Sequence, residues 1–192
     1  MKRILTVIVV LTLTTVALPA QEPAFGEGDL VFNAAVGIGS TLYTGARYSM
    51  RVPAISLSGE YGIADDIGDV ESLNLGVGAY ASYSSSEYKE TLGGKDYGWR
   101  YNYMVFGARG SMHYTATDNL DTYLTLMLGY NLVTASYFGD DDLEDALGTA
   151  SASSVTYGAS LGARYYFTNN LGVMAEVGYG IAWLNLGVAL KL

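Results

Sequence analysis

Four features of this chain have the residue types and spacing that chemistry requires. Gly158-Ala159-Ser160-Leu161-Gly162 matches G-x-S-x-G, the pattern that lifts a nucleophilic serine onto a strained turn between a strand and a helix. His113 is the single histidine, and so the only imidazole available as a general base. Asp140-Asp141-Asp142-Leu143-Glu144-Asp145 gathers carboxylates of the kind hard divalent cations prefer. Gly37-Ile38-Gly39 and Gly76-Val77-Gly78 carry the G-x-G spacing of loops that cradle phosphates.

Each pattern works only on the right element, and the elements are strands. From Asp29 onward apolar residues recur at every second position, the period of a strand. Ser160 falls inside one such run, away from any strand-to-helix turn, so no catalytic residue is assigned. Neither G-x-G pair opens a helix, and no cofactor is expected. The acidic run lacks the glycine and spacing of a calcium loop, so it reads as a solvated loop and no metal site is assigned.

Eight alternating runs follow one another. Leu30, Phe32, Ala34, Val36 and Ile38 share the apolar face of the first. Ile55, Leu57 and Tyr61 mark the second, Leu73 to Tyr83 the third, and Met104, Phe106, Met112 and Tyr114 the fourth. Leu124 to Leu132, Val155 to Phe167, Leu171 to Tyr179 and Leu184 to Leu192 complete the set. Each core is about 9 to 12 residues, which suits a tilted strand crossing a bilayer, whereas strands of soluble domains average nearer 5 or 6. Polar stretches at Thr41–Arg51, Ser84–Gly98 and Gly139–Ser154 alternate with shorter ones at Ala64–Glu71, Thr115–Leu120 and Thr168–Asn170. The expected fold is all-β, an eight-stranded antiparallel up-and-down transmembrane β-barrel.

The second face of these strands is mostly Gly, Ala, Ser, Thr and Asn, which fits a narrow barrel interior. A soluble ligand-binding barrel of the lipocalin kind would instead hold its apolar face inside. The first face is almost without charge, and exposing it to water would create an apolar patch larger than monomers tolerate. Tyr61, Tyr114 and Phe167 at one end, and Tyr83, Tyr157 and Tyr179 at the other, mark the two interfaces.

Lys2 and Arg3, the apolar stretch Ile4 to Val16, and small residues at Ala17 and Ala20 have the layout of a secretory signal. The expected organisation is a signal over 1–20, a short lead over 21–28 and the barrel over 29–192. The cut is placed after Ala20, with Ala17 as the alternative. There is no cysteine, which removes disulfide frameworks, thiolate zinc sites and a lipidated N-terminal cysteine. Without the signal the net charge is 8 − 19 = −11, which argues against nucleic acid as partner.

Five charges fall on the inner face: Glu60, Arg109, Arg164, Glu176 and Lys191. Unpaired they would be costly, so they are expected to form a lumen charge network. A three-residue turn at Asn169-Asn170-Leu171 would set Arg164 directly opposite Glu176. Glu60 and Arg109 lie on non-adjacent strands and would meet only across the lumen.

Over Asp29 to Leu192 the chain resembles the small eight-stranded outer-membrane proteins typified by the transmembrane domain of outer-membrane protein A. The most specific segment is Asn185-Leu186-Gly187-Val188-Ala189-Leu190-Lys191-Leu192, which is similar to the C-terminal strand read by the barrel-assembly machinery, with Leu192 where an aromatic residue is usual. The resemblance implies residence in a bacterial outer membrane, contact with its lipid and lipopolysaccharide, and a lumen plugged by its charge network. A monomer is expected. The peptidoglycan-binding domain of that family is not carried over. The implied role is structural and surface-interacting, through loops Ser84–Gly98 and Gly139–Ser154, and not enzymatic; a narrow porin-like channel is the alternative. Under this resemblance the run Asp140 to Asp145 has a second reading, a Ca²⁺ or Mg²⁺ bridge to lipopolysaccharide, which sensitivity to chelation would separate from a solvated loop.

Overall fold

Alternation along the sequence becomes a wall with two unlike faces. The computed structural model describes residues 24–43, 45, 47–139 and 148–192; the signal segment and the run Asp140 to Asp145 lie outside the described residues. Strands β1 (Leu30–Ile38), β2 (Tyr48–Ala64), β3 (Leu73–Leu92), β4 (Lys95–Thr117), β5 (Leu120–Phe138), β6 (Thr149–Tyr166), β7 (Leu171–Tyr179) and β8 (Leu184–Lys191) form a closed barrel in chain order. Every neighbouring pair is antiparallel, and β8 closes on β1 from Val31↔Lys191 to Ile38↔Leu184. Within the band that all eight strands share, closure leaves no open edge, so there each strand has backbone partners on both sides.

The apolar residues point outward. On β5, Leu126 and Leu128 are 61% and 64% exposed, while Thr125 beside Leu126 is 2% exposed. The same inversion holds on β1, where Phe32 and Val36 are exposed and Asn33 and Ala35 are buried. A water-soluble fold would do the opposite, and the exposed band matches what hydrocarbon accepts.

The strands are unequal. β1, β7 and β8 have 9, 9 and 8 residues, about what a crossing requires, whereas β2 to β6 run from 17 to 23. One side of the wall therefore rises beyond the apolar band, at the end opposite the termini. The segment expected as a loop at Ser84–Gly98 is instead a continuation of β3 and β4, joined by Gly93-Gly94. Both glycines have positive φ, 61° and 81°, which a two-residue hairpin turn matched to strand twist requires. Likewise Tyr48 to Arg51 and Thr149 to Ser154 are strand rather than loop. Tyrosines stiffen this wall on its inner side: ring centroids lie 5.3 Å apart for Tyr48 and Tyr88, 6.4 Å for Tyr101 and Tyr103, and 6.2 Å for Tyr43 and Tyr103.

Candidate functional site: the polar lumen

Inward positions of five strands bring nine-tenths-buried charges together in two groups. In the group nearer the termini, Arg164 of β6 faces Asp121 of β5 directly across the strand pair. Its Nη1 donates to Asp121 Oδ2 at 3.0 Å, its Nη2 to Glu60 of β2 across the lumen, and its Nε to Asn33 Oδ1 at 3.1 Å. His113 of β4 closes the circuit, with Nδ1 2.9 Å from Asp121 Oδ1 and Nε2 3.2 Å from Glu60 Oε1. Ionised carboxylates only accept, so an imidazole between two of them must carry a hydrogen on each nitrogen. The four side chains then form a closed ring of two cations and two anions, with no net charge.

The second group lies one step further along. Arg109 Nη2 donates to Glu176 Oε1 at 2.5 Å and to Thr125 Oγ1 at 3.2 Å, and Tyr123 Oη donates to the same Glu176 oxygen at 3.0 Å. Tyr123 links the groups, because its ring lies under the Arg164 guanidinium at 4.4 Å. Gly162 makes room for that ring: a Cβ there would sit 2.3 Å from Tyr123 Cε2 and Cζ. Beside Arg109 and Glu176 remains a cavity of about 40 Å³, lined also by Thr125, Ser160 and Asn185.

Each end of the lumen carries its own packing. At the terminal end Phe25 is fully buried, stacked on His113 at 3.9 Å, and its carbonyl accepts from Asn74 Nδ2 at 2.5 Å. Lys191 Nζ donates to the Ala24 carbonyl at 3.3 Å and lies 3.6 Å from Asp29 Oδ2. Gly62 permits this approach, since a Cβ would lie 1.9 Å from the Gly26 carbonyl oxygen. At the other end Ile181 and Ala182 fold inward onto Ala54 and Val105, with Leu42 packed against them. Thr41 holds that cover, donating from Oγ1 to the Gly180 carbonyl at 2.7 Å and from its backbone N–H to the Ile181 carbonyl at 3.2 Å.

No protein-family model matches the sequence, and no curated protein is significantly similar to it. Solved structures are. The N-terminal β-barrel domain of Pseudomonas aeruginosa OprF aligns at a TM-score of 0.50 and 16% identity, covering 88% of this chain and 100% of that one. Ail, the attachment invasion locus protein of Yersinia pestis, solved with the heparin analogue sucrose octasulfate, gives 0.52 and 12%, covering 86% and 99%. A major outer membrane protein of Thermus thermophilus gives 0.54 and 12%, covering 85% and 99%. The fold is that of the small OmpA-like outer-membrane β-barrels.

Within this OmpA-like barrel the five expected charges do lie inward, but not with the expected partners. Arg164 is not opposite Glu176. The β6–β7 register sets Arg164 against Met174 and Glu176 against Gly162, because the turn is Thr168-Asn169-Asn170 with Phe167 N donating to Leu171 O at 3.1 Å. A shift of two positions keeps each side chain on its face but sets Arg164 nearer the termini than Glu176, while the β5–β6 register holds it level with Asp121. Glu60 and Arg109 form no ion pair; each takes a partner from the other expected couple.

Asp121, His113, Tyr123 and Phe25 were not expected in the network. The first three were legible by parity, since 121 and 123 share a face with Thr125, and 113 with Arg109 and Ser111. Phe25 had no such signal, because it precedes β1 and enters the lumen from its mouth. Ser160 is in mid-strand, and both nitrogens of His113 are engaged by carboxylates. Among the described residues no group of His, Asp and Glu is arranged to hold a metal ion.

Proposed function

We propose that the chain is exported by its N-terminal signal segment and inserted into the outer membrane of a Gram-negative bacterium as a monomeric, non-enzymatic structural barrel with an occluded lumen. The carrying observation is the way the lumen is filled. The ring Arg164–Glu60–His113–Asp121 crosses it from wall to wall. Phe25 closes the mouth that would face the periplasm, and Ile181 and Ala182 cover the mouth that would face outward. Water in the remaining 40 Å³ cavity amounts to about three molecules, too few for a continuous path. The tall β2–β6 wall, with the segments Ser84–Gly98 and Gly139–Ser154, is the part presented for surface contacts. The likeness to Ail, an attachment invasion locus protein, supports a role in such contacts.

A narrow channel for ions or very small solutes is the second reading. It draws on the polar cavity itself, which lies beside the single pair Arg109–Glu176 and would lengthen if that pair parted. Planar-bilayer conductance of the refolded mature chain separates the two. The occluded barrel gives no steps, and leak appears in the Arg164→Ala and Glu176→Ala variants. Steady steps in the wild type would make the protein a channel. Fractionation of the cell envelope tests the location independently.

A further inference from the structure

The cations of this acidic chain are distributed unevenly. Eight lie beyond the N-terminal segment, and three of them, Arg109, Arg164 and Lys191, point inward. The other five, Arg47, Arg51, Lys89, Lys95 and Arg100, all belong to β2–β4 or to the residue just before β2. All five stand above the apolar band, and no other sector of the barrel carries one.

Two of them are arranged as a fixed pair on the outer surface. Arg51 and Arg100 flank Glu87 of β3, with Nε atoms 3.7 and 3.3 Å from the same Oε2. Their side chains stay 46% and 42% exposed, whereas Glu87 is 18% exposed. The Arg100 guanidinium also rests on the Phe138 ring at 4.7 Å, which fixes its plane. Glu87 engages the Nε edge of each arginine, and among the described residues neither pair of terminal nitrogens donates to a protein acceptor. Two cations about one anion leave one net positive charge, with two guanidinium forks directed away from the wall.

Their height follows from residue spacing. Leu57, Ala81 and Phe106 line a groove in the lipid-facing surface with Phe32, Gly59 and Ala79. Arg51, Glu87 and Arg100 lie six positions further along the same three strands. Six residues span about 20 Å, or about 15 Å normal to the membrane for strands tilted near 40°. Half the hydrocarbon thickness is also about 15 Å, so from a groove near the middle of the band the pair reaches the headgroup level.

We propose that Arg51 and Arg100, spaced by Glu87, bind the phosphate groups of an anionic lipid of the outer leaflet, with one of its acyl chains lying in the groove between Leu57 and Phe106. Guanidinium forks pair with phosphate oxygens two at a time, and the orientation imposed by Glu87 and Phe138 reduces the ordering cost of doing so. The site rests on the outer-membrane reading, but its test does not depend on cell location. Failure of envelope fractionation would sink that reading alone.

The experiment uses the refolded mature chain in neutral detergent micelles, titrated with diphosphorylated lipid A and with the same lipid after dephosphorylation, and read by native mass spectrometry. Wild type is expected to bind the phosphorylated lipid at least about tenfold more tightly, which is the scale of one charge-assisted contact. The Arg51→Gln/Arg100→Gln variant should lose that preference, while Lys95→Gln keeps it. Equal binding of the two lipids by wild type, a comparison that needs no variant, would overturn the proposal. So would an equal loss in Lys95→Gln, which would mean diffuse attraction, or displacement of the lipid by inorganic phosphate at matching concentration, which would mean a free-phosphate site.

Discussion

Replacing Arg164 with Met removes one of the two cations that bridge the carboxylates of the lumen ring and leaves His113 as the other. The wild-type guanidinium is fully buried and makes hydrogen bonds to Asp121, Glu60 and Asn33, with a cation–π contact to Tyr123. Met has comparable length, so packing is largely kept and the loss is electrostatic. Two carboxylates remain facing a single imidazolium, and breaking a buried pair in this way costs about 3–5 kcal/mol. That is roughly a thousandfold in the folded-to-unfolded ratio, taking about 1.4 kcal/mol per factor of ten. The assay is urea unfolding of the refolded barrel in lipid vesicles, followed by tryptophan emission. Neutralising the stranded acids as well, in Glu60→Gln/Asp121→Asn/Arg164→Met, should recover most of the loss, because the penalty belongs to the unpaired charges rather than to the missing pair. A loss below about 1 kcal/mol for Arg164→Met, or a triple variant no better than the single one, would refute the ring as a coupled unit.

Three further outcomes are expected. Gly162→Ala puts a Cβ 2.3 Å from the Tyr123 ring, so the ring must turn and release Glu176; a loss of about 1–3 kcal/mol in the same assay is expected, against under about 0.5 kcal/mol for Gly110→Ala, whose added Cβ meets nothing within 4 Å. Phe25→Ala removes the ring stacked on His113, with about 3 kcal/mol lost and conductance events appearing in planar bilayers; a silent, fully stable variant would show that the mouth is not closed by Phe25. In the β3–β4 ribbon, the Tyr88 and Tyr97 hydroxyls and Arg47 hold the Glu90 carboxyl below its ordinary 4.5, and the Thr91 hydroxyl and Lys89 hold Asp96 below 3.8. Depressed values mean that this stabilisation is complete above about pH 4.5 and is lost only as pH falls through the lower folded values. The emission of Trp99 in a Trp183→Phe background should therefore be flat from about pH 7 to 5 and change below about 4, and a transition near pH 6 would contradict the assignment.

The period-two pattern by itself determined the number of strands and the face each side chain takes. The reason is local: successive residues of a strand point to opposite sides, so an uncharged face such as Leu124-Leu126-Leu128 and a face with small or polar residues such as Thr125, Gly129 and Asn131 cannot exchange without a slip of one position. The same parity assigned Glu60, Arg109, Arg164, Glu176 and Lys191 to the lumen. It did not assign partners, because a slip of two positions preserves every face and moves every height. The turn at Thr168-Asn169-Asn170 decided that Arg164 lies opposite Met174 and not Glu176, and the β5–β6 register decided that it meets Asp121. Contacts across the barrel, such as Glu60 with Arg164 or Phe25 with His113, join residues 104 and 88 positions apart in the chain and depend on closure and stagger, which alternation does not encode. The ribbon at Ser84–Gly98 was hidden for a related reason: above the membrane both its faces are polar or aromatic, so its alternation no longer separates lipid from lumen, and pairing across the Gly93-Gly94 turn alone makes it a strand.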